Sequence, residues 1–336
     1  MANPDVRSTP SISPDHSPTP DNRPGWTLAI HGGAGKITEE MTPAGEAVYH
    51  AALRRALAAG AIVLGDGGSA VDAVEEAVRA LENDPTFNAG RGAVMTIDGT
   101  FELDASIMDG SNLKIGGVAG MKRCGNPVSV ARAVMEQTDI VLIAGPAADD
   151  FAVANGFGTV SPEYFFNEQR FEAIQKRRAD AGLPPLPHPA KRDSQGTVGA
   201  VARDSAGNLA AATSTGGRSG KMAGRVGDSP IAGAGNYAAN GVVAVSCTGA
   251  GEQFIRHSAA AQVAWFVKHS GMTPEQAAGK VIDEVLSPDD GGMIVVGTNG
   301  PPVMRFSTQA MSRGWADASG RVETMIWRDG ESAPQD

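Results

Sequence analysis

The chain has 336 residues, with 28 basic and 38 acidic side chains and a net charge of −10. That length fits two ordinary domains or one large α/β domain with a full core. The acidic balance, with a pI near 5.1, excludes a nucleic-acid or anionic-membrane binder that works through a basic face.

Residues 1–25 are mostly Pro, Ser, Asp and Thr, and so cannot bury enough surface to offset ordering. They are expected to be a disordered extension, and they lack the apolar run of a secretory signal, so a cytoplasmic location is expected. Order is expected to begin at Trp26, with WTLAIH as a buried strand running into a glycine turn, GGAG. Thr42-Pro43 opens a helix with Ala47, Val48, Ala51, Ala56 and Leu57 on its apolar face. Ser69 caps a second helix, striped by Ala70, Val71, Val74, Ala77, Val78 and Leu81. VMTI and TFELDASI follow as strands about the turn pair Asp98-Gly99. Residues 114–121 form another strand, then helix, strand and helix alternate through PVSVARAVMEQT, DIVLIAG and PAADDFAVANG.

A charged helix is expected from Ser161 to Arg178, then a Pro-rich exposed loop at about 179–196. Beyond it, TVGAVA and NLAAATST read as small-residue strands, GVVAVSC as a strand and 252–269 as a helix. Thr273-Pro-Glu-Gln276 is a capping box that starts a helix with Ala277, Ala278, Val281, Ile282, Val285 and Leu286 inward. GMIVVG and PPVMRFS close the chain as strands. Strands in adjacent hairpins with helices clustered around them suggest helix-covered sheets. No run approaches about 18 consecutive apolar residues, so no membrane-spanning helix is expected.

Several chemistries are excluded by spacing. The six histidines include no i, i+4 pair, and Cys124 and Cys247 have no near partner, so a catalytic transition metal is not expected. The two cysteines cannot make a disulfide framework and suit a reducing compartment. HGGAGKIT lacks the first glycine of a phosphate loop, since Ile30 stands there, and neither a dinucleotide fingerprint nor a GxSxG elbow is present. His31 ends a buried strand and is read as positioning the glycine turn. Glycine stands out at 43 residues, as expected for many tight turns or backbone-lined sites.

The informative stretch is 194–217. Pairing its strands about a turn near Ala206 puts Thr197 opposite Thr215, two hydroxyls at the open end of a hairpin. Gly196 before Thr197 permits a carbonyl geometry that other residues tolerate poorly. Arg225 and Asp228, on a glycine-flanked loop, form either a surface ion pair of little worth or a clasp for an amino acid's carboxylate and ammonium. Thr248-Gly249, after a strand, offers a hydroxyl and a backbone N–H of the kind that stabilises an oxyanion.

HGGAG at 31–35, FNAGRGAV at 87–94, ELDASIMDG at 102–110, GTVGAVA at 196–202, STGG at 214–217, GRVGDSP at 224–230, GAGNYA at 233–238 and CTGAGE at 247–252 stand in one order. From Trp26 onward the chain resembles the plant-type (type III) L-asparaginases and isoaspartyl peptidases, which are N-terminal-nucleophile hydrolases. The resemblance implies an αββα sandwich forming one structural domain, made as a precursor that cuts itself between Gly196 and Thr197. Residues 26–196 would form the α subunit, residues 197–336 the β subunit, and two αβ units would pair as (αβ)2.

By the same resemblance, Thr197 is nucleophile and, through its amine, general base, with Thr215 tuning it. A freed α-amine has an ordinary pKa of about 7.7–8.0, suited to accepting the hydroxyl proton. Thr248 and the Gly249 N–H would hold the oxyanion, and Asn88 the water and leaving-group side. Arg225 would bind the substrate carboxylate and Asp228 its ammonium, with Val226, Gly227, Ala250 and Gly251 completing the pocket. Carbonyls of Leu81, Glu82, Asp84, Phe87, Ala89 and Arg91 correspond to a structural sodium loop. No organic cofactor is implied, nor a nucleic-acid or membrane partner.

The expected substrates are L-asparagine and β-aspartyl dipeptides, which share the L-aspartyl end. The extension at 1–25 and the 179–196 loop depart from the family, and Arg218, Ser219, Gly220 and Lys221 lie beside the expected pocket. Two rivals remain. Glycosylasparaginases typically have Asp before the nucleophile, where this chain has Gly196. A non-cleaving module that only binds aspartate or asparagine would not need Thr197, Thr215, Thr248, Arg225 and Asp228 all intact.

Overall fold

The computed structural model describes residues 25–35, 41–166, 168–186 and 196–328. The expectations for residues 1–24 and for 187–195 of the Pro-rich loop lie outside the described residues. In chain order the elements are β1 (Thr27–Gly35), α1 (Pro43–Gly65), α2 (Ala70–Asn83), β2 (Leu103–Asp109), β3 (Ile115–Met121), α3 (Pro127–Gln137), β4 (Leu142–Ala144), α4 (Pro146–Ala154) and α5 (Glu168–Asp180). Then come β5 (Val198–Arg203), β6 (Leu209–Thr215), β7 (Asn236–Ala239), β8 (Val243–Gly249), α6 (Gly251–His257), α7 (Ala259–Ser270), α8 (Pro274–Lys280), β9 (Gly291–Gly297), β10 (Val303–Phe306), β11 (Ala310–Asp317) and β12 (Val322–Trp327).

The strands form an 8-stranded sheet, ordered β12-β11-β1-β5-β6-β2-β3-β4, and a 4-stranded sheet, ordered β10-β9-β8-β7. Alternation along the strands decides how they stack, because successive side chains point to opposite faces. In β1, Leu28 and Ile30 pack with α1 and α2, whereas Ala29 joins a cluster with β8 and β9 residues Ala244, Ile294 and Val296. In β5 and β6, Ala200, Ala202, Ala210 and Ala212 lie on the helix side, and Val201, Leu209 and Ala211 between the sheets. In β8, Val243, Val245 and Cys247 meet α7 and α8 residues such as Val263 and Ala278. The layers therefore run helix, sheet, sheet, helix, the αββα sandwich expected.

Local signals account for the boundaries. The Thr42 hydroxyl accepts from Gly45 N–H and the Ser69 hydroxyl from Asp72 N–H, capping α1 and α2. Thr273 and Gln276 close the expected capping box on α8, and the chain continues into a π-helical turn over Val281–Val285. β1 runs through the whole glycine segment to Gly35 with a bulge between His31 and Gly33, so GGAG is strand rather than turn.

Other differences have physical causes. The buried face of α1 is Ala52, Leu53, Ala56, Leu57, Gly60 and Leu64, while Val48 is 53% exposed. The helix is rotated toward its leucines, the larger apolar surface. By length and mean hydropathy α1 is also long and apolar enough to cross a bilayer, unlike any run foreseen from the sequence. Arg54 and Arg55 interrupt its apolar residues, and Leu53 and Leu57 pack into the core. VMTI contributes only single bridges, Met95 to Phe101 and Thr96 to Lys221, although the Asp98-Gly99 turn forms. The charged helix begins at Glu168, after a short 3-10 turn at Pro162–Tyr164, and the 252–269 helix breaks at Ser258, whose φ is 48°. β11 and β12 extend the large sheet beyond the strands foreseen, with β11 hydrogen-bonded to β1.

Replacing Leu53 by Ala should cost about 2–5 kcal/mol in urea unfolding, and Val48 by Ala less than about 0.5 kcal/mol. Equal losses would refute the assigned face of α1.

Candidate active site

The β5–β6 hairpin has the register read from the sequence, Val198 opposite Ser214 and Gly199 opposite Thr213. One step further, the Thr197 and Thr215 hydroxyl oxygens are 2.9 Å apart. Thr215 also accepts from Gly217 N–H at 2.9 Å, which fixes its hydroxyl orientation toward Thr197. Gly196 has φ +105°, and a Cβ there would lie 2.9 Å from Gly33 Cα and collide with the Gly32 carbonyl oxygen. Only glycine fits this crossing with β1. The Gly196 carbonyl accepts the Asn88 backbone N–H at 2.6 Å, so the peptide bond joining Gly196 to Thr197 has a polarising donor on its oxygen.

Behind Thr197 lies a buried polar cluster. His31 is fully buried, with Nδ1 3.2 Å from the Thr197 carbonyl oxygen and Nε2 2.9 Å from Ser246 Oγ. Burial pushes its pKa down to about 3, against the raising effect of the Thr197 contact, so the ring is neutral at ordinary pH. Thr213 Oγ1 lies 2.7 Å from Ser246 Oγ. On β8 the Thr248 hydroxyl, 1% exposed, accepts Ala34 N–H at 3.2 Å, tying β8 to the glycine segment of β1. Gly249 follows with φ +149°, and Ala250 N–H donates to the Asp290 carbonyl at 2.7 Å.

The Arg225–Asp228 pair is not a surface ion pair. The Arg225 guanidinium donates through Nε and Nη2 to both oxygens of Glu252, each at 2.9 Å. That contact holds the Glu252 carboxyl down at about 2. It also leaves the end-on edge of the guanidinium for a second carboxylate. Asp228 is 5% exposed, and its Oδ2 is buried with no hydrogen-bond partner. Burial pushes its carboxyl up to about 7. An orphaned buried carboxylate oxygen is costly unless a ligand cation completes it. Gly251 keeps this space open, since a Cβ there would lie 2.7 Å from Asp228 Oδ1 and 3.1 Å from Arg225 Nη2. Val226 and Gly227 form the short link between the two charged residues.

The Asn88 side chain has two partners of its own. Its Nδ2 donates to the Gly217 carbonyl at 2.6 Å and its Oδ1 accepts Val94 N–H at 2.9 Å. In the last turn of α2 and the loop after it, the carbonyls of Leu81, Asp84 and Ala89 accept local N–H groups at 3.3, 3.4 and 3.0 Å. Each carbonyl keeps a second lone pair, and with Glu82, Phe87 and Arg91 the set remains one of hard oxygen donors, the kind a hard cation takes.

Several side-chain contacts around the site were not foreseen, those of the Glu82 carboxylate among them. Glu82 is fully buried, and its side chain accepts from Ser214 Oγ at 2.7 Å, Val128 N–H at 3.1 Å and Asn126 Nδ2 at 3.0 Å. Burial raises its carboxyl to about 7. Asp104 stands opposite Thr215 across β2 and β6, with Lys221 Nζ 3.9 Å from its Oδ2. Glu252, Ser246 and Thr213 were also missed. The alternating small polar residues of β8 and β6, Ser246 with Thr248 and Thr213 with Thr215, were the readable signal; the ion pairs had none.

Known proteins resemble this chain over most of its length. A family profile described as asparaginase matches residues 24–326. The isoaspartyl peptidase of Salmonella typhimurium is 47% identical over 309 residues, covering 90% of this chain and 98% of the relative. The isoaspartyl peptidase/L-asparaginase of Xenopus laevis is 43% identical over 291 residues, 86% of this chain and 91% of the relative. A probable isoaspartyl peptidase/L-asparaginase of Arabidopsis thaliana is 38% identical over 324 residues, 90% of this chain and 99% of the relative. With coverage this complete and a sandwich of the expected kind, the chain belongs to the asparaginase family, among the plant-type N-terminal-nucleophile hydrolases.

Proposed function

We propose that this enzyme cuts itself between Gly196 and Thr197 and then hydrolyses L-asparagine and β-aspartyl dipeptides, releasing L-aspartate. The observation that carries the reading is the 2.9 Å contact between the Thr197 and Thr215 hydroxyls, beside a scissile carbonyl already held by Asn88 N–H. In the precursor the Thr197 hydroxyl attacks the Gly196 carbonyl carbon. The C–N bond breaks as the ester forms, the amine takes the proton, and water then cleaves the ester. The products are an α subunit ending at Gly196 and a β subunit starting at Thr197.

The freed amine then serves as base for the Thr197 hydroxyl, with Thr215 as its hydroxyl partner. The oxygen attacks the side-chain carbonyl carbon of asparagine or the isopeptide carbonyl. Thr248 and the Gly249 N–H are assigned the oxyanion, and the leaving ammonia or amino acid carries off the proton. Water releases aspartate from the β-aspartyl ester. Arg225, oriented by Glu252, meets the substrate α-carboxylate with its end-on edge, and the orphaned Asp228 oxygen meets the α-ammonium. Both substrates present these two groups, and the relatives' names carry both activities.

The same proposal includes pairing as (αβ)2 and a structural sodium ion on the carbonyls of the 81–91 loop, with no other cofactor. The sodium would stiffen the loop that carries Asn88. Two buried free thiols, Cys124 and Cys247, support a reducing, cytoplasmic setting.

Denaturing mass spectrometry of aged protein should give fragments 1–196 and 197–336, and Thr197→Ala should stay whole and inactive; a cut, active variant would refute the nucleophile. A wild-type chain that never cuts would favour the binding-module reading. Arg225→Ala should raise KM for asparagine by about 30-fold or more, because it leaves a substrate carboxylate unpaired in a half-closed site. Asp228 must be ionised to hold an ammonium, and its carboxyl is neutral below about 7. KM should therefore climb as pH falls through about 7 toward 5.5, where the ordinary carboxylate of an exposed Asp would still be charged. A KM flat over that range would remove Asp228 from the pocket.

A further inference from the structure

We infer that His31 is a positioning residue for the nucleophile, the last member of a one-way hydrogen-bond chain that runs Thr213, Ser246, His31 and ends on the Thr197 carbonyl. This rests on the reading of Thr197 as the new chain start, and assigns the buried cluster behind it a task in catalysis.

The direction of the chain follows from counting protons. A carbonyl oxygen can only accept, so at 3.2 Å from Thr197 O the proton must sit on His31 Nδ1. A neutral ring has one N–H, so Nε2 is bare and accepts from Ser246 Oγ at 2.9 Å. Having spent its proton there, Ser246 Oγ accepts from Thr213 Oγ1 at 2.7 Å; the Gly235 carbonyl, at 3.1 Å, is the longer of the two acceptors open to Thr213. Each member lies on an inter-sheet face, and the chain crosses from β6 to β8 and back to β1 and β5. Gly199 leaves it room, since a Cβ there would sit 2.5 Å from His31 Nε2 and collide with Ser246 Oγ.

The task arises from cleavage. Once cut, Thr197 is a chain terminus, and termini fray unless tied down. The β5–β6 register is recorded from Val198 onward, so Thr197 itself is held through its hydroxyl, by Thr215, and its carbonyl, by His31. Two fixed points leave the amine and Oγ1 little freedom to turn away from the substrate. With the ring neutral, the tie places no positive charge beside the amine that must act as base. His31 touches neither substrate nor the reacting atoms; it acts through Thr197.

The test combines kinetics with nitrogen-15 NMR of histidine-labelled protein. In the wild type the His31 resonances should show the proton on Nδ1. His31→Asn, whose amide nitrogen takes the Nδ1 position, should keep cleavage and kcat within about threefold, less than the loss of one buried hydrogen bond. His31→Gln reaches the Nε2 position and leaves the Thr197 carbonyl alone, so kcat should fall about 10- to 100-fold with KM nearly unchanged. Ser246→Ala removes the donor to Nε2 but not the carbonyl acceptor, so it should leave the proton on Nδ1 and lower kcat less than His31→Gln does. A proton on Nε2 in the wild type, or Asn and Gln variants of equal kcat, would overturn the inference. A wild type that never cuts would sink the reading of Thr197, while the tautomer would still judge the chain of hydrogen bonds.

Discussion

The site depends on how closely two sheets can approach. Between them small residues, Ala29, Ala211, Ala238 and Ala244, stand beside large ones, Leu209, Ile294, Met311 and Trp315, and short hydroxyls still meet across the gap. Where the small apolar residues end, Thr213, Thr215, Ser246 and Thr248 continue the same faces in polar form. Buried hydroxyls cost free energy unless each finds a partner, and here each has one. Strands rather than loops therefore hold Thr215, Ser246 and Thr248, and β5 begins at the residue after Thr197, an arrangement suited to chemistry that tolerates little misplacement.

A second constraint is charge at low dielectric. Arg225, Asp228 and Glu252 share one corner of the structure with the buried pair Asp104 and Lys221. Burial raises the carboxyl pKa of Asp104 and Asp228 and lowers that of the Lys221 ammonium. The buried Oδ2 atoms of Asp104 and Asp228 both lack a hydrogen-bond partner, but Asp104 has the Lys221 ammonium 3.9 Å away, and an α-ammonium would serve Asp228 in the same way. Glu252 plays the opposite part, being satisfied already and serving to aim Arg225. One oriented cation and one unsatisfied carboxylate thus stand side by side, complementary in charge to a free amino-acid end.

Much of this was legible. The hairpin register about Ala206 follows from small-residue alternation and one turn, and it sets Thr197 against Thr215. The helix caps at Thr42, Ser69 and Thr273 were local hydrogen-bond signals and formed as read. The α1 face was misjudged because alanines dominate the helix and periodicity cannot rank them; the leucines decided it by burying more area. β11 and β12 were passed over because Arg313, Gly314 and Glu323 interrupt the apolar pattern of strands near a sheet edge. The bridge from Thr96 to Lys221 dissolved a predicted strand, which no local rule could show.

The sequence by itself determined the helices and most strands, though not β7, β11 and β12, the pairing of Thr197 with Thr215, and, through eight ordered motifs, the family. These are properties of neighbours along the chain or of whole words in it. Tertiary structure alone decided that His31, Ser246 and Thr213 meet behind Thr197, that Glu252 aims Arg225, and that the Asn88 backbone rather than its side chain reaches Gly196. Such contacts join residues up to 215 positions apart, as His31 and Ser246 are. Their energy comes from burial and partner geometry, neither of which exists until the sheets have stacked.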